Sequence, residues 1–171
     1  TSVSYTLSAN VENLTLTAGA LNGTGNAVAN IITGNTGANI LRGAGGADTL
    51  NGGAGTDTAL FEQAVANYAI DHSGTAIIVS DLVGSEGTDT LTAIETLSFL
   101  GSSYAVVTGA NAANVINGGA GSQAIFGLGG NDTINGGAGN DIVIGGLGND
   151  NISLASDTGG RDFIDGGAGE D

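Results

Sequence analysis

The sequence predicts an all-β protein in which two stacks of short parallel strands flank a small antiparallel β module. Three observations lead there. Glycine recurs on a nine-residue frame in two blocks, an aliphatic residue keeps the same frame, and the stretch between the blocks loses the glycines and gains alternating β-branched and aromatic runs. The frame is clearest in three uninterrupted copies with an acidic sixth and an aliphatic eighth position. These are Gly127-Leu-Gly-Gly-Asn-Asp132-Thr-Ile134-Asn, Gly136-Gly-Ala-Gly-Asn-Asp141-Ile-Val143-Ile and Gly145-Gly-Leu-Gly-Asn-Asp150-Asn-Ile152-Ser.

Residues 1–57 hold an N-terminal strand and the first block. Val3, Tyr5 and Leu7 alternate with Ser4, Thr6 and Ser8, a period of two that predicts a strand, and Leu14 and Leu16 follow. From Gly25 the frame runs through Gly34, Gly43 and Gly52, with Ile32, Leu41, Leu50 and Ala59 at the aliphatic position. Its sixth position passes from Asn30 and Asn39 to Asp48 and Asp57, so the repeat strengthens along the chain. Residues 58–108 carry Phe61, Tyr68, Phe99 and Tyr104 and the runs Tyr68–Ile70, Ala76–Val79, Thr96–Phe99 and Tyr104–Val107, separated by glycine-containing turns. That pattern predicts an inserted antiparallel β meander. Residues 109–171 hold the second block, in frame at Gly109, Gly118, Gly127, Gly136 and Gly145. Leu154-Ala-Ser156 then breaks the frame, which resumes around Asp157 and at Gly166.

Composition narrows the function. With 33 Gly and no Pro in 171 residues, the chain suits an array of turns and lacks the composition of collagen. Its only Lys or Arg residues are Arg42 and Arg161 and its formal charge is −15, which excludes the basic surfaces that nucleic acid and anionic membranes require. The absence of Cys removes disulfides and thiolate metal sites. No apolar run is long enough for a membrane helix, and no secretory signal segment is visible, so membrane insertion is not expected. The chain starts without Met and stops inside a repeat at Asp171, as a piece of a longer protein would.

The motif G-G-x-G-x-D-x-U-x, with U aliphatic, resembles the RTX (repeats-in-toxin) calcium-binding nonapeptide family. Glu86–Phe99 also resembles a segment found between RTX repeat blocks. The resemblance implies two right-handed parallel β-rolls flanking the antiparallel module, with a glycine turn and a short strand in each repeat and two repeats per coil. Stacked turns would then hold Ca²⁺ between them, since turn carbonyls and the sixth-position Asp together supply the hard oxygens that Ca²⁺ prefers. By resemblance, one turn gives carbonyls from its second and fourth positions, the next from its first and third, and both give the sixth-position side chain.

Carried onto this sequence, one of the two strongest pairs is Asp132/Asp150 with the carbonyls of Leu128, Gly130, Gly145 and Leu147. A second is Asp141/Asp162 with Gly137, Gly139, Asp157 and Gly159, where the three-residue insertion disturbs the spacing. A third is Asp150/Asp171 with Gly146, Gly148, Gly166 and Ala168. Asn30/Asp48 (with Gly43 and Gly45), Asn39/Asp57 (with Gly52 and Ala54), Asn114/Asp132 and Gln123/Asp141 lack one carboxylate each and are expected to be weaker sites.

The remaining features point to no catalysis. Asp71-His72-Ser73 juxtaposes triad residue types, but neighbours on a strand face opposite ways. Glu86 and Asp89 could extend a calcium site in the glycine-rich loop, but an exposed hairpin loop is the expectation. The resulting expectation is a non-enzymatic, calcium-binding structural module of a secreted or cell-surface bacterial protein, exported through type I secretion machinery and folded by Ca²⁺ outside the cell. The alternatives are an accessory region of a secreted enzyme of protease, lipase or alginate epimerase type, and an adhesin or surface-layer segment. Either would bring an extracellular polysaccharide or a cell-surface partner.

Overall fold

A computed structural model of the chain describes residues 3–17, 20–154 and 160–171. The chain divides into two compact units, Thr1–Ser102 and Ser103–Asp171. The first contains β1 (Val3–Thr6), β2 (Asn13–Thr15), β3 (Ala20–Thr24), β4 (Ile31–Thr33), β5 (Ile40–Arg42), β6 (Thr49–Asn51), β7 (Thr58–Phe61), β8 (Tyr68–Ser73), β9 (Ala76–Asp81), β10 (Thr88–Thr92) and β11 (Thr96–Phe99). The second contains β12 (Ser102–Thr108), β13 (Val115–Asn117), β14 (Gln123–Gly129), β15 (Thr133–Asn135), β16 (Ile142–Leu147), β17 (Asn151–Ser153) and β18 (Phe163–Ala168).

Both units are parallel β-solenoids of stacked coils. In the first, β1-β3-β5-β7-β11 form one parallel sheet, and β2-β4-β6-β10 run parallel in the facing one. In the second, β12-β14-β16-β18 and β13-β15-β17 form the two sheets. Alternate repeats pair, because one nine-residue repeat supplies one short strand and one turn, and the chain needs two to come back above itself. The register therefore stacks the eighth positions: Leu14 on Ile32 on Leu50, Ile116 on Ile134 on Ile152, and Ile125 on Val143 on Ile164. Ile32, Leu41, Leu50, Ala59, Ile125, Ile134 and Val143 are fully buried, so the core is a file of single aliphatic side chains between two sheets.

The 58–108 segment differs from a wholly antiparallel meander. Antiparallel pairing is confined to β8, β9 and β10, while β7 and β11 pair in parallel and β10 is parallel to β6. The chain leaves the solenoid after β7, makes a single 3-10 turn at Val65–Asn67 and the β8–β9 hairpin, and returns. The hairpin occupies the edge of β10 where a further coil would pair, so backbone groups that a solenoid end leaves open are satisfied there. Phe61, Tyr68 and Phe99 anchor it, with ring centroids 5.0 to 5.3 Å apart.

Candidate metal centre

The solenoid register places sixth positions above one another at every turn, and a hydrogen-bond ladder results. One carboxylate oxygen of each sixth-position Asp accepts from the backbone N–H of the sixth residue one coil earlier. Asp48 Oδ1 accepts from Asn30 at 2.7 Å, Asp57 from Asn39 at 2.7 Å, Asp132 from Asn114 at 2.7 Å and Asp141 from Gln123 at 2.8 Å. Asp150 accepts from Asp132, Asp162 from Asp141 and Asp171 from Asp150, each at 2.8 Å. The last two span 21 residues where the others span 18, so the insertion at 154–156 leaves this contact intact.

The second carboxylate oxygen has a different environment. Oδ2 of Asp48, Asp57, Asp132 and Asp150 is buried and accepts no hydrogen bond. It lies against the first-position glycine of its own turn. A Cβ on Gly145 would sit 2.4 Å from both Asp150 Oδ2 and the Gly166 carbonyl oxygen, and one on Gly127 would sit 2.5 Å from Asp132 Oδ2 and 2.4 Å from the Gly145 oxygen. Glycine at this position thus lets carboxylate and carbonyl oxygens crowd together. Burial pushes the Asp48 and Asp57 carboxyls up, against the opposing backbone hydrogen bond from Asn30 or Asn39. Oxygen anions buried without donors are costly unless a cation neutralises them. An all-oxygen set with neither sulfur nor imidazole suits a hard cation of the Ca²⁺ kind. Among the described residues no group of three or more His, Cys, Asp or Glu side chains gathers as a metal site, so the peptide carbonyls have to complete any coordination here.

Turns with an amide at the sixth position are satisfied from within. Asn30 Oδ1 accepts from Asn26 N–H at 2.7 Å, Asn39 Oδ1 from Asn35 at 2.7 Å, Asn114 Oδ1 from Ala110 at 2.6 Å and Gln123 Oε1 from Gly119 at 3.0 Å. Asn30 Nδ2 donates to the Val11 carbonyl at 3.2 Å and Asn39 Nδ2 to the Leu21 carbonyl at 3.3 Å. The amide supplies its own donors, so these turns carry no excess charge.

Several sequence-predicted carbonyls face the neighbouring turn. Oxygens of Leu128, Gly130, Gly146 and Gly148 lie where a side chain on Gly146, Gly148, Gly167 or Gly169 would have to go. Those of Gly43, Gly52, Gly145 and Gly166 lie against the first glycine one coil earlier. Asp157 and Gly159 fall outside the described residues.

Two further acidic residues join the ladder, Asp89 and Glu95, the second of which the sequence reading did not single out. Asp89, expected in an exposed loop, is 3 % exposed, and its Oδ1 accepts from Asp48 N–H at 2.9 Å. Glu95 Oε2 accepts from Asp57 N–H at 2.8 Å. The signal was the spacing Asp89-Thr-Leu91, an acidic residue two before an inward aliphatic. Burial first, then the charges of Asp48, Glu86 and Asp81, push the Asp89 carboxyl up to about 7 against its hydrogen bond from Asp48. At Asp71-His72-Ser73 the Asp71 carboxylate accepts from the adjacent His72 backbone N–H at 2.7 Å, a local strand contact.

Residues 24–59, 117–152 and 155–171, more than half of the chain, match the family described as the RTX calcium-binding nonapeptide repeat (4 copies). No curated protein matches. Among solved structures, the extracellular lipase LipA from Serratia marcescens is similar at 19 % identity and a TM-score of 0.27, over 77 % of this chain and 28 % of the lipase. The chain therefore spans less than a third of that protein's length.

Proposed function

Because the chain belongs to the RTX calcium-binding nonapeptide-repeat family, we propose that it is a structural module of a secreted or cell-surface bacterial protein whose folding Ca²⁺ drives after export. The observation that carries this reading is the row of buried, partnerless Oδ2 atoms at Asp48, Asp57, Asp132 and Asp150. In this reading residues 1–57 and 109–171 are the calcium-dependent rolls, and 58–108 links them. Asp132 with Asp150, Asp141 with Asp162, and Asp150 with Asp171 hold ions together with the carbonyls of their turns. The Asn and Gln turns bind weakly or not at all, since their amides already fill the turn.

Calcium supplies positive charge to the stacked carboxylates. The protein supplies a carboxylate oxygen fixed by its ladder bond and carbonyls aimed by left-handed turn residues. Without that charge, the carboxylates repel and a core one side chain wide cannot offset the entropy of ordering so glycine-rich a chain. Metal binding and folding are then one process. Circular dichroism in excess chelator should show mostly coil, converting to a β spectrum with a calcium midpoint of about 10⁻⁴ to 10⁻³ M. A β spectrum in chelator that millimolar Ca²⁺ leaves unchanged would overturn the proposal.

A further inference from the structure

We infer that residues 84–89 form a disguised turn of the first solenoid and that Asp89 completes a calcium site with Asp48, tying the hairpin excursion to metal binding. The inference rests on the calcium reading above but brings in residues 84–92, which lie outside the repeats that match the family. Four positions of Gly84-Ser-Glu-Gly-Thr-Asp-Thr-Leu-Thr92 reproduce the contacts of an unmistakable turn. At the fourth, a Cβ on Gly87 would meet the Gly46 oxygen at 2.0 Å, as one on Gly148 would meet the Gly130 oxygen at 1.8 Å. At the sixth, Asp89 Oδ1 accepts from Asp48 N–H at 2.9 Å, as Asp150 does from Asp132 at 2.8 Å. At the seventh, Thr90 N–H donates to the Asp48 carbonyl at 2.8 Å, as Asn151 does to Asp132 at 2.8 Å. At the eighth, Leu91 stacks on Leu50 as Ile152 stacks on Ile134.

This turn also puts a second carboxylate beside one that needs neutralising. Asp48 is 2 % exposed, and its Oδ2 accepts no hydrogen bond. The earlier coil offers it Asn30, a neutral partner, so Asp89 is the only ladder neighbour of Asp48 that adds charge. Among the described residues no ion pair joins a Lys or Arg to either turn, although Arg42 lines a surface hollow with Ala44, Gly45, Ser85 and Glu86. The Arg42 guanidinium is engaged by Glu62 at 2.6 Å. The next turn, Ala93–Glu95, is different. Ala93 presents its carbonyl to Gly52 and Glu95 bonds Asp57, but only three residues separate β10 from β11, too few for a second set of turn carbonyls. The site is therefore assigned to the Asp48/Asp89 edge, with Glu95 closing the other edge as a backbone cap.

The test is calorimetric Ca²⁺ titration of the whole chain, unmodified and as Asp89→Asn and Asp150→Asn. Asparagine keeps an oxygen for the Asp48 N–H and removes only the charge. Asp89→Asn should bind one ion fewer, or bind it at least tenfold more weakly, with the other sites unchanged. If Asp89→Asn titrates like the unmodified chain while Asp150→Asn loses binding, the Asp89 assignment falls and the calcium reading stands. If the unmodified chain takes up no Ca²⁺ at millimolar concentration, the calcium reading itself falls. Hydrogen exchange on the unmodified chain guards against misfolding of the variant. Amides of 84–92 should gain at least tenfold protection on Ca²⁺ addition, and exchange there that Ca²⁺ does not alter would overturn the inference.

Discussion

At the fourth position of its turn, Gly148 is required for two separate reasons. Gly148 has φ of +130°, a conformation L side chains rarely adopt, and a Cβ there would lie 1.8 Å from the carbonyl oxygen of Gly130 one coil away. Neither constraint acts at Gly121, the fourth residue of its turn, where φ is ordinary and the nearest atom to an added Cβ is the Gln123 amide nitrogen at 3.7 Å. Gly148→Ala should therefore cost about 3 kcal/mol or more in calcium-saturated denaturation, and Gly121→Ala should fall within about 0.5 kcal/mol of the parent. Equal losses would mean that the turn tolerates a side chain wherever the coil has room to relax. The second position is looser. Ala44 and Leu128 occupy it at φ of 78° and 79°, so the chain accepts the strain of a side chain in left-handed backbone there. The glycine frame was legible because these steric demands recur every nine residues. The amide plugs were not, since Asn30 and Asn39 match the sixth position by spacing and only coordinates show that their oxygens turn inward to Asn26 and Asn35.

At the scale of the strand, stability comes from stacking one aliphatic side chain per repeat. Ile134 is fully buried between Ile116 and Ile152 with Ile125 and Val143 in the same cluster, so Ile134→Ala should cost about 2 to 5 kcal/mol in the calcium-bound state. A calcium-saturated loss below about 0.5 kcal/mol would put Ile134 on the surface and refute the frame. These strands were readable in advance because each carries its aliphatic two residues after the acidic position. The return of the chain to the solenoid at β10 was not. Gly84 follows Gly43 by 41 residues where alternate repeats normally lie 18 apart, and Ser85 and Glu86 stand where glycine and a neutral residue usually do. The hairpin itself was legible from Ser73-Gly74, since Gly74 at φ of 65° sits in the two-residue turn between β8 and β9. What sequence could not show was that Thr88–Thr92 pairs both ways, antiparallel to β9 and parallel to β6, so that one strand joins the hairpin to the coils.

Over the whole chain, 17 acidic residues face two arginines, so proton and calcium compete for the same carboxylates. The sign of the pH dependence should then invert with metal. Burial raises the carboxyls of Asp48, Asp57 and Asp89, the last to about 7. A carboxyl raised on folding favours the folded state below its ordinary range near pH 4, and the advantage is lost as pH climbs to its folded value. In chelator, β content should therefore be greater at about pH 5 than at about pH 8, with most of the change below about pH 7. The charges of Asp48, Glu86 and Asp81 act on Asp89 in the same direction as burial, opposed by its hydrogen bond from the Asp48 N–H. With saturating Ca²⁺ the ion selects the deprotonated form, so its affinity should rise across the same window and the folded fraction should be larger at pH 8. Circular dichroism at the two pH values, with chelator and with 10 mM CaCl₂, reads both arms. Asp89→Asn should flatten the metal-free arm in part by removing a carboxyl that burial raises to about 7. Metal-free β content that is equal at both pH values would show that the buried carboxylates cost the fold little, and calcium would then have to act through the geometry of the turns instead of through their charge.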